Sequence, residues 1–435
     1  MSNLSELLPT GGGQNAVDFV ATGTLSSGQT VALKSDGTVE AIAADANPPS
    51  GGAVVDVTAT GGFNGNTQAV YDPVNNKVIM FYTGASSTYY PTARVGTVSG
   101  SSISFGTPVV LASQASSYTS SCYDAQSQKI VIVYKGSSSL EARVLTVSGS
   151  SISAGSATAI RSGSDGGDFL YSAVTYDSGN QKVVTLWRDN ASTNYATYAA
   201  IGTISGTSIS FSSPQAVDTS GQNFGCGITY SAEKSVVLMS WVDDYRATVG
   251  AATSNGSTLI FGAAVQLSTT NANSPPSPVY DSLSGKMLVM WFTNSGSIAY
   301  FQTVGVSGTT LTADSIVTQR SDTLPAYYKL EINSVTNKIY AVLLSASTPR
   351  DAFLYAITIS GSTPTLDSGF EYVTNSTPNP PYYNTMAVDS GSNKIVTLYA
   401  PGSDYTKGVS RVLAPLGSNN TSFIGITAEA ISSAA

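Results

Sequence analysis

A unit of about 52 residues recurs seven times along this chain of 435 residues, and no other feature constrains its fold as strongly. The clearest copies share the pattern Tyr-Asp-x-x-x-x-Lys followed by an apolar run, as in YDPVNNKVIMFY and YDAQSQKIVIVY. Successive copies are 52, 53, 52, 52, 52 and 56 residues apart, measured between Lys77, Lys129, Lys182, Lys234, Lys286, Lys338 and Lys394. A period of this length predicts a repeat architecture in which each copy is one supersecondary unit.

Each repeat contains four short apolar runs, which predict four β-strands, called A to D. In the second copy these runs are Tyr118–Tyr123, Lys129–Tyr134, Leu140–Val147 and Ser151–Ala159. The A–B link is short, and the C–D link contains Gly149, the kind of residue that tight hairpins require. Each repeat is therefore predicted to form a four-stranded antiparallel sheet.

The B strands, such as IVIVY, are apolar on both faces, so each sheet should be covered on both sides. Seven sheets that bury both faces against one another form a ring. The sequence therefore predicts an all-β fold built around a seven-bladed β-propeller. A β-solenoid is the rival architecture, but its repeats are much shorter. A string of independent sheets would leave both apolar faces of every sheet exposed to solvent.

The phase of the repeat indicates how the ring closes. Val54–Val57 matches a D strand placed ahead of the first A strand, whereas the last repeat lacks a D run. We therefore expect the N-terminal strand to complete the seventh blade, so that no sheet edge stays open. The predicted domains are a β-module or collar at 1–50, the propeller at 51–416 and a C-terminal segment at 417–435. The strand pattern of that segment, at 423–431, should pair with the N-terminal module or with a neighbouring subunit.

Composition excludes several classes of function. There is no histidine, which removes the commonest general base, triad member and zinc ligand. The formal charge is -8 and the basic residues are not clustered, so nucleic acid is not an expected partner. The apolar runs are far too short for a transmembrane span and the N-terminus lacks a signal-peptide pattern, so we expect no membrane insertion. Cys122 and Cys226 are too few for a disulfide framework and are expected to be buried small hydrophobes.

The B–C and D–A links should share one face of the propeller, and they carry most of the bulky polar residues. Tyrosine set among serine, glycine and asparagine is typical of recognition loops, because its ring offers contact area at low entropy cost. This face is the candidate ligand-binding site, with Tyr89, Tyr90, Arg188, Tyr195, Asp243, Asp244, Tyr245, Arg246, Tyr327, Tyr328, Tyr382, Tyr383 and Tyr405. The alternative is that these rings shelter loop backbone or pack between subunits of an assembly.

The repeated Asp and Lys have a structural interpretation, in which Asp caps hairpin amides and Lys begins the B strand. The acidic loop containing Asp165 and Asp168 has too few ligands to match a calcium-loop motif and is interpreted as a solvated turn. We predict no metal site and no cofactor.

Two segments outside the repeats, GTLSSGQTVALKSDGTVEAI near the start and NNTSFIGITAEAISS near the end, point to a family. They resemble paired flanking motifs of structural proteins of tailed bacteriophages, particularly marine phages, where they bracket propeller-like inserts. The motifs cover a small part of the chain, and neither is a catalytic signature. Related proteins continue past the last strand with a further Gly-rich β segment, so pairing with a neighbouring subunit stays open.

The resemblance implies a non-enzymatic virion structural protein of the tail, fibre or outer surface, which acts as a scaffold and can take part in host attachment. The implied partners are other virion proteins, further copies of the chain in a homo-oligomer, and a glycan or protein of the host surface.

The competing functions are a carbohydrate-binding receptor and a propeller glycosidase, both acting through the tyrosine-rich face. Glycoside hydrolysis needs two carboxylates, or a tyrosine nucleophile with arginines that hold an acidic sugar. The loop residues that could converge for this are Arg188, Asp189, Asp243, Asp244, Tyr245 and Arg246. The Ser-x-Asp-x-Gly-x-Thr-Trp repeat typical of sialidases is absent, and we expect no catalysis.

Overall fold

The computed structural model describes residues 20, 30–33, 38–41, 49–59, 61–84, 88–162, 170–189, 195–221, 223–268, 271–272, 274–293, 298–315, 318–323, 328–347, 350–374, 382–415 and 423–426. Every regular element in these ranges is a β-strand. None of the described residues belongs to a helix long and apolar enough to cross a membrane. Two compact units are present, one of residues 50–415 and one of residues 1–49 with 416–435.

The strands are numbered in chain order. Ahead of the repeats lie β1 (Thr30–Leu33), β2 (Val39–Ala41), β3 (Ser50–Gly51) and β4 (Val55–Asp56). Blades 1 to 3 contain β5 (Gln68–Asp72), β6 (Lys77–Thr83), β7 (Pro91–Ser99), β8 (Ser102–Phe105), β9 (Val109–Val110), β10 (Ser117–Asp124), β11 (Lys129–Lys135), β12 (Ser139–Ser148), β13 (Ser151–Ala154), β14 (Thr158–Ser162), β15 (Leu170–Asp177), β16 (Lys182–Arg188), β17 (Thr197–Ser205), β18 (Ser208–Phe211) and β19 (Gln215–Asp218).

Blades 4 to 6 contain β20 (Asn223–Ser231), β21 (Val236–Asp243), β22 (Arg246–Ser254), β23 (Leu259–Phe261), β24 (Val265–Gln266), β25 (Ser277–Asp281), β26 (Lys286–Phe292), β27 (Ala299–Ser307), β28 (Thr310–Ala313), β29 (Thr318–Arg320), β30 (Lys329–Ile332), β31 (Ile339–Leu344), β32 (Ala352–Ser360), β33 (Thr363–Leu366) and β34 (Phe370–Val373). The last repeat contains β35 (Tyr382–Asp389), β36 (Lys394–Ala400) and β37 (Val409–Ala414), and β38 (Phe423–Ile426) follows it.

The predicted seven-bladed β-propeller of four-stranded antiparallel blades is confirmed. In blade 2 the order is β10-β11-β12-β13, and β14 also pairs with β12. Strand D is therefore two short strands rather than the single strand predicted. The interruption falls at Gly155, where an added Cβ would lie 1.8 Å from the carbonyl oxygen of Thr207 in the next blade. The break lets the C–D turn of that blade pack against bare backbone.

The ring closes through the N-terminal segment, as the phase of the repeat indicates. Both β3 and β4 pair antiparallel with β37, with Gly51 opposite Leu413 and Val55 opposite Ser410. Blade 7 thus receives its D strand from the opposite end of the propeller sequence, and the short ladder leaves much of the closure to side chains.

Hydrophobic clusters fill the interfaces between successive blades, because alternate side chains of each B strand point to opposite faces. In blade 2, Ile130 and Ile132 pack toward blade 1, whereas Val131 and Val133 pack toward blade 3. All four side chains are completely buried. Burial of an aliphatic side chain of this size contributes about 1.5–3 kcal/mol, so the blades stabilise one another through these interfaces.

The A–B turns explain the repeated Asp. In blade 1 the Asp72 Oδ1 accepts hydrogen bonds from the backbone amides of Val74 and Asn75, at 3.0 and 3.1 Å. In the other blades too, the side-chain oxygen at this position accepts hydrogen bonds from backbone amides of the turn. The accepting residues are Asp124, Asp177, Ser231, Asp281, Asn333 and Asp389. The capping interpretation of this residue is confirmed.

The tyrosine ahead of this Asp has a role that the sequence did not indicate, because it reaches the A–B turn of the preceding blade. Burial and the Asp124 carboxylate of blade 2 raise the pKa of Tyr176 in blade 3. At Gly179 an added Cβ would lie 2.5 Å from the Tyr230 hydroxyl of blade 4. The pattern thus links each blade to its neighbour.

The described strands of the second unit form a three-stranded sheet in the order β2-β1-β38. The C-terminal strand pairs with the N-terminal segment of the same chain, with Thr30 opposite Ile426 and Val31 opposite Gly425. The rest of the predicted strand at 427–431 and the acidic loop with Asp165 and Asp168 lie outside the described residues.

Arg411 on β37 holds the closing segment in place. Its Nε donates to the carbonyl oxygen of Gly52 at 2.7 Å, and its Nη1 donates to the carbonyl oxygen of Tyr372 in blade 6. Arg143 of blade 2 makes similar contacts, to the carbonyl oxygen of Gly155 and the hydroxyl of Tyr134, within one blade.

Arg411→Ala is expected to lower the free energy of unfolding by about 2 kcal/mol, because charge-assisted hydrogen bonds to two carbonyls are lost. It should also speed proteolytic cleavage near residues 50–56, since the closing strands depend on that side chain. Urea titration and timed proteolysis measure the two effects. The matched control is Arg143→Ala, which should destabilise without exposing the N-terminal segment; equal cleavage in both variants would contradict the assignment.

Candidate functional site: a tyrosine-rich loop face

Among the residues that the structure describes, five tyrosines have left-handed backbone conformations, and all lie at the B–C or D–A end of a blade. Their φ angles lie between 48° and 64°, at Tyr89, Tyr171, Tyr195, Tyr245 and Tyr383. A bulky residue with positive φ is a conformational outlier that costs about 1–3 kcal/mol. Backbone strain at aromatic residues is thus concentrated on the face that the sequence marks as the candidate site.

Two B–C links and the start of one A strand build an aromatic ledge, which consists of Arg188, Tyr195, Phe224 and Tyr245. The guanidinium carbon of Arg188 lies 4.3 Å from the ring centroid of Tyr195 and 5.1 Å from that of Phe224. Phe224 in turn lies 5.2 Å from Tyr245, between ring centroids. Arg188 is buried, whereas 45% of Tyr245 is exposed. The ledge therefore presents one ring to solvent on a packed base.

Carboxylates of blades 3 and 4 border the ledge, with Asp218 at the end of β19 and Asp243 at the end of β21. Asp218 accepts hydrogen bonds from Trp241 Nε1 at 2.8 Å and from the Ser220 amide at 2.9 Å. Asp243 Oδ1 is buried and has no hydrogen-bond donor among the described residues. Burial, followed by the charges of Asp218 and Asp244, raises the pKa of Asp243 to about 6. When these carboxylates are ionised, the border of the ledge carries negative charge.

A second aromatic group, the closure seam, lies where blade 7 meets blade 1. It consists of Phe63, Tyr82, Tyr382, Tyr383 and Tyr405, with neighbouring ring centroids 5.8 to 6.0 Å apart. An added Cβ at Gly65 would lie 2.3 Å from the Tyr383 ring. These rings pack the ring-closing segment, so the seam is mainly structural.

The remaining predicted residues are dispersed. Tyr89 is 42% exposed and close enough to Tyr383 to help raise the pKa of that phenol, after burial and Tyr382. The carbonyl oxygen of Tyr90 accepts a hydrogen bond from the Gly84 amide at 2.9 Å.

Tyr328 packs between blades, with its ring centroid 4.5 Å from that of Phe292 and its hydroxyl donating to the carbonyl oxygen of Pro275. Arg246 lies opposite Asp243 in the β21–β22 ladder. Tyr327 is outside the described residues. The structure thus brings together Arg188, Tyr195, Asp243, Asp244, Tyr245 and Arg246, and it places the other described residues of the predicted site elsewhere.

Sequence reasoning missed two residues of this face. Phe224 is the base of the ledge, and no repeated position distinguishes it. Tyr171 lies six residues before the turn residue Asp177, and the corresponding positions are Tyr118, Tyr327 and Tyr383 in other repeats. Alignment of the repeats on the turn residue would have shown this series.

The inner strands of all seven blades surround a central channel of about 960 Å³. Hydrogen bonds join neighbouring blades at its mouth, as from Thr119 Oγ1 to the carbonyl oxygen of Asn66 at 2.7 Å. Within the channel Lys329 Nζ pairs with Glu331 at 2.9 Å and donates to the carbonyl oxygen of Met386 at 3.0 Å. These contacts satisfy strand-edge carbonyls and tie the blades together.

Among the described residues, no group of three or more His, Cys, Asp or Glu side chains is arranged to hold a metal ion. Both cysteines are buried, as expected, and burial raises the pKa of each thiol. What the ledge offers chemically is an aromatic surface beside hydrogen-bond acceptors.

The raised pKa of Asp243 predicts a pH-dependent stability. The fold favours the protonated acid, so this stabilisation is complete below about pH 4, the unfolded value, and is lost as the pH rises through about 6. Asp243→Asn should therefore raise the melting temperature at pH 7.5 and change it little at pH 4. Glu371→Gln, which removes an exposed carboxylate from β34, is the control. The same pH response in both variants would refute the argument.

No protein-family model matches this chain, and no curated protein matches it. Solved structures do. A protein from Lactobacillus plantarum has a TM-score of 0.53 and 10% identity, covering 80% of this chain and 95% of that one. The β-propeller domain of Cps50 (Swd1) from Myceliophteria thermophila has a TM-score of 0.51 and 8% identity, covering 83% and 99%. BBS1N in complex with ARL6DN has a TM-score of 0.50 and 8% identity, covering 85% and 98%. At this identity the likeness shows the fold alone.

Proposed function

We propose that this protein is a non-enzymatic structural component of a tailed-bacteriophage particle, in the tail, fibre or outer surface, and that its loop face takes part in host attachment. The observation that carries the attachment role is the exposed, strained Tyr245 on a packed aromatic base. Strain of this kind is tolerated where presentation of a side chain matters more than local stability. The assignment to a phage particle rests on the resemblance of the two flanking segments to those of phage structural proteins.

The form of the propeller supports a scaffold role. Ring closure pairs β3 and β4 with β37, and the D strands are interrupted, so long open sheet edges are avoided. Interrupted edges reduce strand-to-strand association between copies. Many copies can therefore lie close together in an assembly, with other virion proteins or with further copies of the chain as partners.

Carbohydrate binding with or without hydrolysis is the second candidate, and Asp243 is the observation that favours its hydrolytic form. A carboxylic acid whose pKa is about 6 can act as a general acid near neutral pH. If the unaltered protein hydrolysed a glycan and Asp243→Asn did not, the protein would be a glycosidase and the structural proposal would be wrong. Unchanged glycans after prolonged incubation would agree with the structural role.

Particle association tests the structural proposal. Peptides of the chain should be present in mass spectra of density-purified particles of a phage that encodes it, in amounts comparable with those of other structural proteins. Gold-labelled antibody against the propeller should mark the tail, fibre or outer surface. A chain found only in the unassembled fraction of the lysate would overturn the proposal.

A further inference from the structure

We propose that the aromatic ledge binds a neutral glycan, with a pyranose ring stacked on Tyr245 and its hydroxyls donating to Asp244. This inference rests on the attachment role proposed above and names the chemical class of the attachment ligand. It assigns recognition to blades 3 and 4 rather than to the closure seam.

The hairpin that presents the Tyr245 ring has an unusual backbone conformation for its sequence. In blade 4 the B–C link is only two residues, Asp244 and Tyr245, with φ angles of 43° and 64°. Two consecutive positive φ angles are typical of a type I′ turn, which favours asparagine and glycine. A tyrosine is unfavourable at this turn position, and burial of its ring does not offset the cost, because 45% of Tyr245 is exposed. Its ring is therefore placed for contact with something outside the fold.

The Tyr245 ring is held in place by the side chains of the ledge. Phe224 supports Tyr245 from beneath, and the Arg188 guanidinium and Tyr195 hold Phe224 in turn. A ring fixed in this way loses little conformational freedom when a ligand stacks on it. The ledge is thus preformed for a flat, apolar surface such as the C–H face of a pyranose.

The border of the ledge carries carboxylates, which select the charge of a ligand. Burial, followed by the charges of Asp218 and Asp244, raises the pKa of Asp243. The three carboxylates lie close together, and their shared negative charge disfavours an anionic ligand at the border of the ledge. Nearby cations are engaged, since Arg161 pairs with Asp189 at 3.1 Å, Arg188 lies against the rings, and Arg246 lies opposite Asp243 and has a partner of its own. Carboxylates accept hydrogen bonds from ligand hydroxyls strongly. A neutral, hydroxyl-rich ligand fits this border, and a sialylated or sulfated one does not.

A glycan array with neutral, acidic and amino-substituted glycans tests the inference on the full-length protein. Neutral glycans should be retained, and Tyr245→Ala should reduce that retention by roughly tenfold or more. Tyr245→Phe should keep it, because the ring face remains. Tyr245→Gly separates folding from binding: it should raise the melting temperature by relieving the positive φ and still abolish retention.

The matched control is Tyr405→Ala, which removes another exposed tyrosine on a B–C link outside the ledge and should leave glycan retention unchanged. Retention of acidic or amino-substituted glycans alone, full retention by Tyr245→Ala, or no retention by the unaltered protein would each overturn the inference. Particle association is measured independently, so failure here is distinguishable from failure of the structural proposal.

Discussion

Each blade is apolar on both of its faces, and this constraint accounts for most of the architecture. Blade 2 packs one half of its B-strand side chains toward blade 1 and the other half toward blade 3, so a blade without two neighbours would expose a row of aliphatic groups. Closure of the ring removes the last free faces. It also requires the two ends of the propeller sequence to meet, and Arg411 reinforces the short ladder formed there.

The two faces of the propeller meet the same backbone requirement in different ways. At the A–B turns, left-handed conformations fall on small or polar residues such as Asn76, Gln128 and Gly285, where their cost is low. On the opposite face they fall on tyrosines as well as on residues such as Gly65, Gly225 and Asp322. The stability of the interblade cores offsets the conformational cost of positive φ angles at tyrosines, and packing against those cores holds the rings in fixed positions. Strain on one face and regular capping on the other are consistent with a scaffold that also presents a recognition surface.

Much of the fold could be predicted because its signals are local. The lysine spacing predicted the number of blades, the phase of Val54–Val57 predicted the closing segment, and the repeated Asp predicted a capped turn. The interruption of strand D could not be predicted, because it depends on the carbonyl of Thr207 in the next blade. For the same reason, the contact between the repeated tyrosine and its neighbour's turn appears only when two blades are placed side by side.

The sequence by itself determined the period, the strand content and the two-sided burial that together require a closed ring. It also identified tyrosine-rich loops, since composition needs no coordinates. Only the tertiary structure decided which of those tyrosines act together. Tyr195, Phe224 and Tyr245 belong to different strands and links, and they meet because neighbouring blades pack at fixed spacing. Tyr382, Tyr383 and Tyr405 have a similar composition around them, yet they pack the closure, because their position in the ring places the N-terminal segment against them.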